Sequence, residues 1–379
     1  MNKLLMASFA LTMALTASAQ EKVDLFSANT DGFELFRIPG IVVTAKGTAL
    51  AYCEARHDAR SDWGEIEVHL RRSTDGGKTW DKARQIAHMG PRVEGNPRKK
   101  TGGEHEQTVN NPVMVAGRDG RIHCLYELNY ARCFAMHSDD DGLSWSPPVE
   151  ITATFEGFRK SYDWKVIATG PGHGIELKSG RLVVPIWLAF GGVGAHSPSA
   201  CGTIYSDDHG ASWHAGDIAV PNAGDFGNPN ESSVAQLSDG RVMLNARNVS
   251  KPNRKLVTTS ADGATGWSSP RFDAALWEPI CMGSLLELPD SGALLFSCPH
   301  SLRLDAEGHE VPGKGAERKN LTVQVSRDNG QTWPVSKALE EGRSAYSDLA
   351  ALPDGTVLCF YERDKRLTIA RISPEWLNK

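Results

Sequence analysis

Six short apolar runs, each opened by a turn glycine, recur along the chain. They follow Gly47 (48–56), Gly120 (121–128), Gly180 (181–188), Gly240 (241–248), Gly292 (293–300) and Gly355 (356–363). The glycines stand 52 to 73 residues apart. Runs of this length between turn residues read as strands. Helical periodicity is absent throughout, and glycine and proline are spread along the chain.

A second pattern interleaves with the first. Ser-x-Asp-x-Gly-x-x-Trp occurs at 73–80, 138–145, 206–213 and 326–333, with a degraded copy at 260–267 in which Ala264 replaces the glycine. The chemistry suits a tight turn: Asp bonds backbone N–H groups, Gly takes positive φ, and Trp packs back over the turn. A catalytic role for these aspartates is the competing reading, but one active site cannot use five dispersed copies of one turn. They read as structural. Each unit then holds a glycine turn, a strand, a connection, another strand and a boxed turn. Four short strands per unit make a propeller blade, so the expected fold is all-β, a six-bladed β-propeller of four-stranded antiparallel blades. The sixth unit lacks a box. A strand near residues 23–27 is expected to complete it and close the ring, which removes the exposed sheet edge.

Composition adds limits. A chain of 379 residues with 40% hydrophobic and 23% charged content is ordinary for a soluble globular protein. A net charge of −5 argues against nucleic acid as partner. It leaves room for an anionic small molecule held by a local arginine cluster. Lys3, an apolar run at 4–15 and Ala17-Ser18-Ala19 read as a cleavable signal peptide over 1–19, with the propeller over 20–379 and a secreted or periplasmic product. The run is too short to span a bilayer comfortably. Of the seven cysteines, Cys53, Cys124, Cys201, Cys298 and Cys359 sit in apolar runs and read as buried thiols, although Cys124 and Cys133 could face each other across a hairpin. No spacing resembles a zinc site, and neither metal nor cofactor is expected.

The candidate chemistry lies at strand ends. Glu54 and Arg56, Glu127, Arg247, and Glu362 with Arg363 close four of the six runs. Equivalent strand ends of a propeller converge around its axis. Ion pairs on a solvated rim are the alternative for any one of them, and recurrence at one strand position favours a shared site.

The chain resembles the exo-sialidases with Asp-box repeats. Phe36-Arg37-Ile38-Pro39 looks like their first arginine motif. Asn230-Glu231-Ser232-Ser233 with Asn245-Ala246-Arg247 is similar to the segment of their catalytic glutamate and second arginine. Arg318-Lys319-Asn320 resembles the third arginine segment, with Arg303 as a competitor. Ala345-Tyr346-Ser347 resembles the tyrosine segment, and Ser61-Asp62-Trp63-Gly64 the loop of the acid/base aspartate, where Asp58 competes. The motifs stand in the family's order over nearly the whole mature chain.

The resemblance implies a retaining hydrolysis of terminal α-linked sialic acids on glycans. Arg37, Arg247 and Arg318 would hold the substrate carboxylate, since the planar guanidinium fork fixes orientation. Tyr346 would be the nucleophile. A neutral phenol avoids the repulsion a carboxylate nucleophile would meet beside that carboxylate. With a pKa near 10 it needs an adjacent base, for which Glu231 is the candidate. Asp62 would protonate the leaving oxygen and then activate water. Glu362 would orient Arg37, and Arg56 and Asn111 would contact substrate. Trp187 is a candidate for the acyl pocket. His173, between glycines, reads as a turn histidine bonded to backbone. The alternatives are a sialoglycan-binding propeller without turnover, a scaffold propeller, and a variant that transfers sialic acid or releases an anhydro product.

Overall fold

The structure, a computed structural model, describes residues 20–59, 61–87, 107–191, 196–289 and 291–378. The expected signal peptide lies outside the described residues. Among the described residues the regular structure is almost all β-strand, with one 3-10 segment at Thr152–Lys160 and one helical turn at Pro374–Asn378.

Five sheets follow one another in a propeller-like ring. The first runs Leu35–Val43, Ala49–Arg56, Ile66–Ser73, Arg84–Ala87. The second is Val109–Ala116, Ile122–Leu128, Arg132–Ser138 and Val149–Glu150, with Gly172–His173 added parallel to its first strand. The third is Val166–Thr169, Leu182–Ala189, Ser199–Ser206 and His214–Val220, and Ile175–Glu176 also pairs with Leu182–Ala189. The fourth is Ser232–Gln236, Val242–Ala246, Arg254–Ser260 and Arg271–Trp277. The last has seven strands, from Ser284–Glu287 through Leu294–Pro299, Lys319–Ser326, Val335–Ala351, Val357–Arg363 and Arg366–Ile372 to Glu21–Ser27.

Burial falls from the middle of each sheet outward. The run Ala49–Arg56 is buried at every position, as is Leu182–Ala189, because sheets pack on both of its faces. The next strand, Ile66–Ser73, alternates buried and half-buried residues, and the outer strand His214–Val220 is mostly wet. Near the axis, Tyr52 ties neighbours together: its hydroxyl donates to the Gly172 carbonyl at 2.7 Å and accepts from the Met114 N–H at 2.9 Å. Gly40 makes the room for it, since a Cβ there would lie 2.1 Å from the Tyr52 ring.

The boxed turns join third and fourth strands. In the first, Asp75 accepts from Ser73 Oγ at 2.8 Å, from the Lys78 N–H at 3.1 Å and from the Thr79 N–H at 2.9 Å. Gly77 has φ +80°, and Trp80 Nε1 donates back to its carbonyl at 3.1 Å. In the degraded copy Asp262 likewise accepts from Ser260 Oγ at 2.9 Å, and it accepts from the Thr265 N–H at 2.8 Å, three residues on rather than four. These aspartates serve turns.

Two expectations change. The sheets are not six separate four-stranded blades. The fifth and sixth units share Val335–Ala351, which pairs with Lys319–Ser326 up to Arg343 and with Val357–Arg363 from Ser344 onward. No turn interrupts this 17-residue strand, so the two units run together. Cys124 faces Met136 across its hairpin and Cys133 faces Glu127, so the two thiols do not meet. All seven cysteines are buried and unpaired. The expected closing strand is present, with Val23 opposite Ile369.

Candidate active site

The site forms where strand ends from several sheets meet. Arg37 stands two residues into Leu35–Val43, and the bulge after it puts Ile38 at φ +59°. Glu362 holds both residues: its carboxylate accepts from Arg37 Nε at 3.1 Å, from Arg37 Nη2 at 3.4 Å and from the Ile38 N–H at 3.1 Å. Glu231 and Arg247 flank the hairpin of the fourth sheet. Their backbones continue its ladder, with the Arg247 N–H donating to the Glu231 carbonyl at 2.9 Å.

Tyr346 lies at the centre. Its hydroxyl donates to the Glu231 carboxylate, with oxygens at 2.6 and 2.7 Å, and accepts from Arg247 Nη1 at 2.7 Å. Arg247 Nη1 also pairs with Glu231 Oε2. The Arg37 and Arg318 guanidiniums lie 5.0 and 5.3 Å from the Tyr346 ring centre. Three arginines therefore surround one phenol. Arg318 is fixed from behind by the Ile280 carbonyl, which accepts from Nε at 3.1 Å and Nη2 at 2.5 Å. Its competitor Arg303 instead donates to Lys314 within its own loop.

Asp62 approaches on the loop that follows Ala49–Arg56. Its Oδ1 accepts from Arg56 Nη1 at 2.6 Å and lies 3.8 Å from Arg37 Nη1. At 45% side-chain exposure it is the open carboxylate of the group, whereas Glu231 is 12% exposed. Arg56 is buried between Asp62 and Glu54, whose Oε2 accepts its Nε at 2.9 Å. Asn111 sits behind Glu54: its N–H donates to Glu54 Oε1 at 2.9 Å and its amide to the Thr169 carbonyl at 3.2 Å.

The electrostatics follow from burial and the arginines. Burial raises the Glu231 pKa, but Arg247, the Tyr346 hydroxyl and Arg318 outweigh it and hold the carboxyl below its ordinary range. Burial likewise opposes the Asp62 charge, and Arg56 and then Arg37 reverse it, so Asp62 is also lowered. Burial pushes the Tyr346 phenol up, with Glu231 adding to the effect; the arginines offset only part of it. In the free protein both carboxylates are charged and the phenol is neutral.

Other charged strand ends go elsewhere. Glu127 accepts from the Thr169 N–H at 2.9 Å, buried behind Asn111. Arg363, next to Glu362, points to the opposite side and meets Glu340 and Asp24. His173 does not bond backbone through its ring; Nδ1 lies 2.7 Å from Asp348 Oδ1. Asp348 also accepts from Ser284 Oγ at 2.7 Å and from the Ile41 N–H at 2.9 Å, two residues along the strand from Tyr346.

An aromatic wall escaped sequence reasoning. Trp63 packs on Tyr130 at 4.5 Å between centres, and Tyr130 on His196 at 4.9 Å and Trp187 at 6.0 Å. Trp63 adjoins Asp62, which puts the wall beside the open carboxylate. From sequence, Trp187 is the one member with a candidate substrate role, and Trp63 enters only as a neighbour of Asp62 in its motif. The others come from loops with no shared pattern.

The profile of the BNR repeat-like domain family matches residues 47–359, and the chain belongs to that family. Its similar relatives are sialidases. It is 31% identical to a sialidase of Micromonospora viridifaciens, over 93% of this chain and 54% of that protein. It is 32% identical to a sialidase of Bacteroides fragilis, over 88% of this chain and 61% of that protein. The chain thus spans only part of the length of these relatives. A solved structure, the Hadza microbial sialidase Hz136, superposes with a TM-score of 0.76 at 26% identity, covering 94% of this chain and 69% of that one.

Proposed function

We propose that the chain is an exo-α-sialidase that hydrolyses terminal α-linked sialic acids of glycoconjugates with retention, through a tyrosyl intermediate. The observation that carries this reading is the Tyr346 hydroxyl held 2.6 Å from Glu231 among three arginines. The sialidase relatives support the same activity.

The three guanidiniums bind the substrate carboxylate, which places the anomeric carbon over Tyr346. That carboxylate takes up arginine charge which otherwise stabilises ionised Glu231 and Asp62. Both carboxyls therefore become more basic when substrate binds. Glu231 removes the Tyr346 proton as its oxygen bonds the anomeric carbon. Asp62, protonated in the complex, gives its proton to the departing glycosidic oxygen, and the aglycone leaves as an alcohol. Asp62 then takes a proton from water, which attacks the anomeric carbon from the aglycone side. The tyrosyl bond breaks, Glu231 returns the proton to Tyr346, and two inversions give net retention. Glu362 orients Arg37; Arg56 and Asn111, with Glu54, brace Asp62 and the substrate's flank. The aromatic wall that includes Trp187 faces the acyl substituent.

The fold that carries this site is a six-bladed propeller over 20–379. Supporting that count, Val335–Ala351 serves as the last strand of one four-stranded unit up to Arg343 and as the first strand of the next from Ser344 onward. Residues 1–19 act as a cleaved export signal, which directs the protein to the periplasm or medium. N-terminal sequencing of the mature chain tests this.

Incubation with a fluorogenic sialoside and identification of the product tests the activity. Release of free sialic acid supports hydrolysis, and an anhydro or transferred product selects the variant reactions. No release between roughly pH 4 and 8 refutes the enzymatic reading.

A further inference from the structure

Lys255 is fully buried inside the strand Arg254–Ser260, and its ammonium lies 2.9 Å from the equally buried Glu278. Isolated buried ions are costly, and a buried pair often adds little net stability over apolar residues of similar volume. The bonds this pair makes point to a second use. Glu278 Oε2 accepts from the N–H of Asn248, the residue after Arg247, at 3.1 Å. Glu278 Oε1 accepts from the Cys281 N–H at 2.9 Å, and Lys255 Nζ donates to the Cys281 carbonyl. Cys281 is thus gripped on both sides of its Cα. The residue before it, Ile280, has φ +59°, a costly conformation for a β-branched residue. That conformation presents the Ile280 carbonyl to Arg318 Nε and Nη2.

We infer that Lys255 and Glu278 are positioning residues for the substrate-carboxylate clamp, setting Arg247 through Asn248 and Arg318 through the strained Ile280 carbonyl. This rests on the sialidase reading of the arginines. Neither side chain touches the phenol or the reacting atoms, so both act through other groups. The pair fixes the spacing of two guanidiniums that come from different sheets. Without Glu278 the Cys281 N–H loses its partner, the Ile280 turn relaxes, and Arg318 loses its backstop.

The test uses the full-length protein with Glu278→Gln and the charge-free double variant Lys255→Met/Glu278→Gln. The double variant leaves no uncompensated ion, so it tests the pair even where Glu278→Gln is too unstable to purify. KM and kcat are measured on a fluorogenic sialoside, with the inhibition constant of free sialic acid and the Tm alongside. Misplacing the clamp is expected to raise KM and the inhibition constant together by about ten- to a hundredfold, with a smaller change in kcat. The double variant is expected to regain much of the Tm lost by Glu278→Gln while keeping the raised KM. A folded variant with wild-type KM and inhibition constant, whatever its Tm, overturns the inference, because a purely structural pair would move only Tm. A wild-type protein that neither cleaves the sialoside nor binds sialic acid refutes the sialidase reading itself, and this inference with it.

Discussion

In the proposed mechanism Glu231 is the base, and replacing it by Gln isolates that role from the rest of the site. The amide has nearly the same shape and still accepts from the Tyr346 hydroxyl, which now lies 2.6 Å from the carboxylate. It cannot take the proton. Burial already pushes the phenol above its ordinary pKa, so without a base the nucleophile stays neutral. General-base catalysis is worth roughly a hundred- to ten-thousandfold, or about 3 to 5.5 kcal/mol of barrier at about 1.4 kcal/mol per decade. The substitution also leaves Arg247 without its carboxylate partner, so its charge is free for the substrate carboxylate. The expected signature is a kcat lower by about 10² to 10⁴ with KM unchanged or lower. Steady-state kinetics on a sialoside with a good leaving group measures this without making protonation by Asp62 limiting. A kcat within tenfold of wild type, or a raised KM at unchanged kcat, refutes the assignment.

Three other outcomes follow from the same geometry. Asp62→Asn is expected to cut kcat by about 10² to 10⁴ on a natural sialyl-oligosaccharide and much less on a substrate whose leaving group needs no proton; equal losses on both would rule out Asp62 as the acid. Glu362→Gln weakens charge-assisted bonds to Arg37 and the Ile38 N–H, and is expected to raise KM about tenfold or more; an unchanged KM removes Glu362 from the clamp. Burial disfavours charge on His173, but Asp348 outweighs it and raises its pKa. Because the folded value lies above the ordinary value near 6.5, the pair's stabilisation is fully present below about pH 6.5 and fades as pH rises through the folded value. The stability gap between wild type and His173→Asn, measured by urea unfolding, should therefore be larger at pH 5 than at pH 9; a gap that widens with pH contradicts the pairing.

The repeat was readable in the chain because its signals are local. A glycine turn, an apolar run and an Asp-box each announce themselves within about ten residues. The fusion of the last two units was hidden because Val335–Ala351 crosses from one to the other with no proline or tight turn to mark it. Arg247 and Glu362 stand out locally as charged strand ends, whereas Arg37, Arg318, Glu231, Tyr346 and Asp62 are legible only through the family resemblance; the structure brings all seven together. What escaped is made by distance. Trp63, Tyr130 and His196 come from separate loops, and nothing in their flanking residues shows that they meet. His173 looked like a turn residue until Asp348, 175 positions away, supplied its partner. Lys255 has no local signal of burial in the chain, because its burial goes with Glu278 and the loop to Cys281.

Trapping the intermediate tests the central claim most directly. A sialosyl fluoride with a second fluorine on the carbon beside the anomeric centre slows breakdown of the tyrosyl bond more than departure of fluoride. Protein treated with it and digested should carry the fluorosialyl mass on the peptide that contains Tyr346, and Tyr346→Phe should carry none. An active wild-type enzyme labelled on another residue, or labelled equally after Tyr346→Phe, would contradict the account.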